Sequence, residues 1–400
     1  MARAGRWGQG GGEGARLRRL VVAGGIPAAL VASACFGVSY TKVDAEPLAC
    51  APFTLLPPGA CDPSLLADAD NCCVAGRSCL GGACAAGRCG ADQVSMTPTA
   101  EAIGLVLVGE RVIWTTGGGG ELLKTNLDGS AGAAVIANHS GLGGCGLGGL
   151  DDCFATEATT DGERVYWVEY NGPEVWSIDP DVPFSSARRV ALTASPSLHL
   201  AGYGHITVVG QRLFWATERY DDGTNLLEGG VWTADKGSVD ENAQAVTTAG
   251  QPFGVAADDT DLYWTDRDGA VLRLARADIG QAVTPQTFAT QQNWLGAIRL
   301  HGDEVIWADG ASVRAKKKDG TNERTLGGSS GPVYGIAVEG DYVYWASRDA
   351  NTVHRASLSS GASETLATVT AAVTPAVGCD ALYLSANPDA SPGVVYRLRK

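Results

Sequence analysis

Five histidines, at positions 139, 199, 205, 301 and 354, are the side chains best suited to move a proton or bind a metal near neutral pH. None belongs to an HExxH pair, and no GxSxG elbow supplies an activated serine. His205 stands apart because, with Glu101 and Glu157, it falls on segments expected to line the centre of the fold. Three such groups are too few to activate a metal-bound water, so His205 is read first as a satisfied structural residue. Glu163, Asp258, Asp259, Asp261, Asp303 and Asp341 would suit calcium by type. Each acidic stretch, however, offers only about two or three oxygens where calcium takes roughly six to eight, and a turn before a strand explains an acid equally well. Gly117 to Gly120 lack the Lys-Ser/Thr of a phosphate loop. Lys316 to Lys318 read as a solvated hairpin tip. No catalytic residue, metal site or cofactor is expected.

These residues hang on a repeated framework. Glycine is abundant (54), charged residues are sparse (18%) and only 2 methionines occur, a composition suited to short strands and tight turns. Residues 258 to 274 show the unit most clearly: an acidic turn, an alternating run ending in an aromatic-Trp pair, a polar turn and a second alternating run. Seven such signatures align: Val112-Ile-Trp114, Val165-Tyr-Trp167, Leu213-Phe-Trp215, Leu262-Tyr-Trp264, Val305-Ile-Trp307, Val343-Tyr-Trp345 and a weakened Leu382-Tyr-Leu384. Steps of about 38 to 53 residues fit a four-stranded propeller blade. The last repeat stops after a third strand, Val394 to Lys400, so Asp92-Gln-Val-Ser-Met96 is expected to supply the fourth and leave no open edge. Asp128-Gly129 and Asp319-Gly320 suit the turn between third and fourth strands. The expected fold is all-β, a seven-bladed propeller over residues 92–400.

Tyr263-Trp-Thr-Asp266 resembles the YWTD propellers of the low-density-lipoprotein-receptor class, a likeness that covers residues 93–400 as a pattern. The full tetrapeptide occurs once; elsewhere the Asp position holds Glu169, Thr116, Thr217 or Ser347. The resemblance implies a structural role for Asp266 and six blades, against the seven signatures present.

In a propeller the first residues of each innermost strand stand at one mouth of the channel. Those positions include Phe154, Tyr203, Phe253, Trp294 and Tyr334, which could hold an apolar or sugar-like ligand by stacking; packing between blades is the simpler use of such rings. The formal charge of -14 argues against nucleic acid as a partner. Recognition of an envelope or extracellular protein, peptide or glycan is the expected role, with a channel hydrolase or lyase and a structural envelope component as alternatives.

The N-terminus gives an address. Arg16-Leu-Arg-Arg19 precedes a short apolar run, and residues 1–34 read as a signal peptide. Val31-Ala-Ser-Ala-Cys35 resembles a bacterial lipobox, although Ala32 stands where that family prefers Leu. The resemblance implies acylation of Cys35, attachment to a membrane through the lipid and, with Phe36 following, outer-membrane sorting; secretion or a soluble periplasmic form is the alternative. Residues 35–91 form a lipid-anchored linker and cysteine-rich collar like those ahead of repeat domains in myxobacterial surface proteins. Setting Cys35 aside leaves ten of 11 cysteines to pair in an oxidising compartment. Cys145 matches Cys153 across a glycine-rich loop. Cys50, Cys61, Cys72, Cys73, Cys79, Cys84 and Cys89 are odd in number, so one is expected to reach Cys379 in the final repeat. The other connections stay open.

Overall fold

Contacts divide the chain into Met1–Lys42 and Val43–Lys400, and the architecture that follows belongs to the second unit. The computed structural model describes parts of 63–96 and, from 101, all but 118–119, 139–154, 170–173, 183–186, 194–204, 221–225, 291–292, 294 and 389–391. The signal peptide, Cys35, Cys50, Cys61, Cys73, Cys145 and Cys153 lie outside the described residues.

Seven sheets are strung in chain order, each antiparallel from the hub outward. Blade 1 is Ala102–Val108, Arg111–Thr116, Glu121–Asn126 and Ala134–Asn138. Blade 2 is Ala155–Thr160, Val165–Glu169, Glu174–Ile178 and Arg188–Leu192. Blade 3 is Ile206–Val209, Arg212–Tyr220, Leu226–Asp235 and Gln244–Thr247. Blade 4 is Pro252–Ala257, Asp261–Asp266, Ala270–Ala275 and Gln286–Ala289. Blade 5 is Leu295–His301, Glu304–Asp309, Ser312–Lys317 and Arg324–Gly328. Blade 6 is Val333–Glu339, Tyr342–Ser347, Thr352–Ser357 and Ser363–Thr368. Blade 7 takes Ala372–Val377, Ala381–Ala386 and Val394–Arg399 from the end of the chain and Asp92–Met96 from before blade 1. The ring therefore closes by pairing its two ends, and seven signatures give seven blades rather than the six of the resembled family.

Every signature lies on a second strand. Alternation there turns the tryptophan into the seam between blades, where Trp114, Trp167, Trp215, Trp264, Trp307 and Trp345 are all at most 1% exposed. Truncating one would cost about 3–5 kcal/mol, so these rings fix the wheel. Nearer the hub the strands converge and, at several blades, leave no room for a side chain. A Cβ on Gly104 would meet the backbone of Glu157 and Ala158 at 2.8 Å, and one on Gly254 would meet the Gly296 carbonyl at 2.7 Å. Hydroxyls stitch this crowded layer. Thr265 Oγ1 accepts from Gly254 N at 2.7 Å and donates to Gly296 O at 2.8 Å. Thr115 and Ser385 make the same bridge from blade 1 to blade 2 and from blade 7 to blade 1.

The far end of the hub is latched electrostatically. Asp161, Asp258 and Glu339 each lie three residues beyond the inner-strand residue that pairs with the tryptophan level. Lys236, Lys318 and Lys400 each lie four residues beyond its third-strand partner in the next blade. Lys236 reaches Asp161 at 2.7 Å, Lys318 reaches Asp258 at 2.8 Å, and Lys400 pairs with Glu339. The latches fall on alternate junctions, 2–3, 4–5 and 6–7. At the other four, the equivalent positions are Val108 and Pro180, Val209 and Arg276, His301 and Leu358, and Gly378 and Leu127, none of which pairs an ammonium with a carboxylate.

The lysine run therefore differs from the solvated tip expected of it. Lys316 donates to Phe288 O at 2.8 Å and covers the Phe288 ring, while Lys318 holds Asp258. Both tie blade 5 to blade 4, because alternation turns residues 316 and 318 to the neighbouring blade. Lys317, on the other face, pairs with exposed Asp303.

Candidate functional site

The inner-strand residue just before the tryptophan level is Gly104, Gly254, Ala297, Gly335 or Thr374 in five blades. Blades 2 and 3 put Glu157 and His205 there instead. Glu157 sits mid-strand in Ala155–Thr160, and His205 immediately precedes Ile206–Val209. Adjacent blades bring Glu157 Oε2 within 2.7 Å of His205 Nδ1, with the side chains only 8% and 3% exposed. The carboxylate stands off the line of the ring N–H, so the two groups are in close contact without an aligned hydrogen bond. On its other side the imidazole meets the Phe253 ring of blade 4 edge-on at 4.8 Å, and His205 N donates to Phe253 O. Arg267 covers Phe253, its guanidinium 4.8 Å from the ring centre. A line of acid, imidazole, aromatic ring and guanidinium thus crosses blades 2 to 4.

Burial by itself would raise the Glu157 carboxyl, but the imidazole of His205 against it, with the charge of Arg299 beyond, outweighs it and holds the group below the usual range. Arg299 lies on the inner strand of blade 5, which is not a neighbour of blade 2, so this field acts across the channel. The sequence places Glu157 and His205, with Glu101, on inner strands; the structure brings the first two into contact. Glu101, marked with them, is exposed at the start of blade 1, where its carbonyl accepts from Gly117 N.

Of the five aromatic residues expected at the mouth, Phe253 is 2% exposed and packed as above, and Tyr334 is half-buried. Phe154, Tyr203 and Trp294 lie outside the described residues. Asp266 acts within its blade: its carboxylate accepts from Gln251 N and Asp268 N at 3.0 Å, and burial pushes its carboxyl up. Of the acids considered for calcium, all but Glu163 are engaged as turn acceptors or ion pairs. Asp258 accepts from Thr260 N and Asp261 N at 2.8 Å, Asp341 from the Ser357 and Ser359 hydroxyls, and Asp261 pairs with Arg273. His354 lies flat on Trp345 at 5.3 Å and bonds Thr352, a packing role.

One feature of the mouth had no signal in the repeat pattern. The second and third strands of blade 3 run 9 and 10 residues, against six in blades 4, 5 and 6. The last described pair, Tyr220 with Leu226, lies at the end where inner strands begin, so this hairpin stands above its neighbours by about 10 Å. A two-residue strand, Glu241–Asn242, leaves the same blade and pairs parallel with the outer strand of blade 2. In the collar, Cys72 bonds Cys84 and Cys79 bonds Cys89. Cys379 is disulfide-bonded too, to a residue outside those described. Arg397 fastens the collar to the wheel, bonding Leu80 O, Asp92 at 3.0 Å and Leu127 O of blade 1.

No family model matches the chain. Among solved structures it is similar to the WD40 β-propeller domain of Doa1, at 10% identity over 77% of this chain and 96% of that one, TM-score 0.53. It is similar to the computationally designed protein Ika8, at 10% identity over 76% and 99%, TM-score 0.50. A chain of the nidogen/laminin complex aligns at 14% identity over 56% and 84%, TM-score 0.43, too low to bear on the argument. At such identities the likeness shows the fold alone, and the fold is a β-propeller.

Proposed function

We propose that the wheel is a recognition module of the cell envelope, exported, acylated at Cys35 and held at the outer membrane, that binds a protein, peptide or glycan through the face carrying the raised hairpin of blade 3. That hairpin carries the reading. Among the described residues it breaks the sevenfold regularity at the end of the wheel where the inner strands begin, the end that also carries half-buried Tyr334 and the stacked Phe253 and Arg267. Propellers commonly serve as rigid interaction platforms, and the other blades here form a latched, closed support. The collar disulfides favour an oxidising compartment and so support export.

Cutting the hairpin back to six-residue strands should abolish capture of envelope partners while leaving the melting temperature of the wheel nearly unchanged. Identical capture by the shortened protein would refute the choice of face. The address is tested by intact mass: the native protein should carry a diacylglyceryl mass that a Cys35→Ser variant lacks.

A further inference from the structure

Two acceptors of Arg397 flank one disulfide. Leu80 directly follows Cys79, Asp92 comes three residues after Cys89, and Arg397 bonds the Leu80 carbonyl and, at 3.0 Å, the Asp92 carboxylate. The Cys79–Cys89 bond therefore keeps both acceptors within reach of one guanidinium, and with them the start of the closing strand. It also fixes two residues that pack into the wheel, Leu80 against the cluster of Val94 and Tyr383 and Ala91 against that of Tyr344 and Leu398. Among the described residues, Asp92–Met96 is the one strand on the outer edge of Val394–Arg399.

The bond that matters is shielded, and its neighbour is not. Cys79 is 0% exposed and Cys89 5%, whereas half-buried Cys84 offers a sulfur to solvent and is bonded to fully buried Cys72. The Sγ atoms of Cys72, Cys79 and Cys89 all lie within 4.8 Å of one another. A thiolate released at Cys72 is thus generated beside the buried bond, where thiol–disulfide exchange needs it.

We propose that the collar is a redox-sensitive clasp on the ring, in which a dithiol reductant opens Cys72–Cys84 and the freed Cys72 passes the opening to Cys79–Cys89, releasing the closing strand. The reductant's thiolate attacks Cys84 Sγ, and Cys72 leaves as a thiolate. The reductant's second thiol then closes on the first, forming its own disulfide and freeing Cys84, so that two electrons and two protons have passed from the reductant to Cys72 and Cys84. Cys72 next attacks Cys79 or Cys89 Sγ. One S–S bond forms as another breaks, the expelled thiolate takes up the proton that Cys72 gave up, and no further electrons move. Either attack severs Cys79–Cys89, loosens both acceptors of Arg397 and bares the edge of Val394–Arg399 for pairing with another extended chain. This device acts on ring closure and goes beyond the recognition role.

The test treats the oxidised whole chain with limiting dithiothreitol, maps the bonds by alkylation and peptide mass spectrometry, and follows amide exchange. Cys84 should be alkylated first, and Cys72 should next be recovered bonded to Cys79 or Cys89. As that species forms, exchange over Asp92–Met96 and Val394–Arg399 should rise at least about tenfold, while Arg324–Gly328 in blade 5 stays protected. In Cys72→Ser/Cys84→Ser the buried bond should open at least about tenfold more slowly. Cys79→Ser/Cys89→Ser leaves the bond of Cys379 in place, and in it the same two strands should exchange fast before any reductant is added. Three results would overturn the proposal: a Cys79–Cys89 bond that opens as fast without Cys72 and Cys84, no recovery of Cys72 bonded to Cys79 or Cys89, or a closing strand that stays protected once Cys79–Cys89 is severed. Exchange rising over all blades together would overturn it too, since that marks general unfolding. Should either variant fail to fold, the bond map and exchange of the wild type decide the matter.

Discussion

Thr265 shows how much a single hydroxyl does near the hub. It satisfies the amide of Gly254 in its own blade and the carbonyl of Gly296 in the next, both buried. Thr265→Val keeps the shape and strands both groups, so it should cost about 1–3 kcal/mol in chemical denaturation; a change below about 0.5 kcal/mol would show that the bridge is dispensable. Ala308 and Ala346 occupy the same position in blades 5 and 6, so the stitch is local rather than a requirement of the fold. At this scale the sequence was partly legible. The motif at 263–266 pointed to structural roles, and Asp266 has one, but the part played by its threonine depends on a neighbouring strand some thirty residues away. Glu157 and His205 could each be placed on an inner strand. That they meet could not be read, because their equivalence depends on two strand registers that repeat spacing, varying from blade to blade, does not fix.

Among the elements, the closing strand bears the most consequence. Its donor was foreseeable because the last repeat ends one strand short, and a propeller with an open edge would be a template for aggregation. Arg397 holds that strand by bonding Asp92, the collar and blade 1 together, with only 13% of its side chain exposed. Arg397→Met should lower stability by about 2 kcal/mol and speed amide exchange across Asp92–Met96 more than elsewhere. Exchange that rises evenly over all blades would instead mean that Arg397 supports the wheel generally. The long hairpin of blade 3 and the parallel pair formed by Glu241–Asn242 escaped the sequence for a different reason. The residues that lengthen the hairpin, Glu218-Arg-Tyr220 and Leu226-Leu-Glu228, and the pair Glu241–Asn242 fall outside the alternating apolar runs by which strands are recognised.

For the whole molecule the alternating latches make a quantitative claim. Burial would raise the carboxyls of Asp161 and Asp258, yet Lys236 and Lys318, helped by backbone amides, hold both below their ordinary range. Folded values below unfolded ones mean that this stabilisation is complete above the unfolded value of about 3.9 and drains away as pH falls below it. Replacing Lys236 or Lys318 by Met should cost roughly 1 kcal/mol each at neutral pH. Lys400→Met should cost less in charge terms, because Glu339 is 40% exposed and water screens it. The latches sit two junctions apart and share no partner, so the triple variant should lose about the sum of the single losses, and its stability should fall less steeply below pH about 4. A triple loss well beyond that sum would mean that the junctions communicate around the ring, and the wheel would then have to be treated as one cooperative hoop rather than as blades fastened pair by pair.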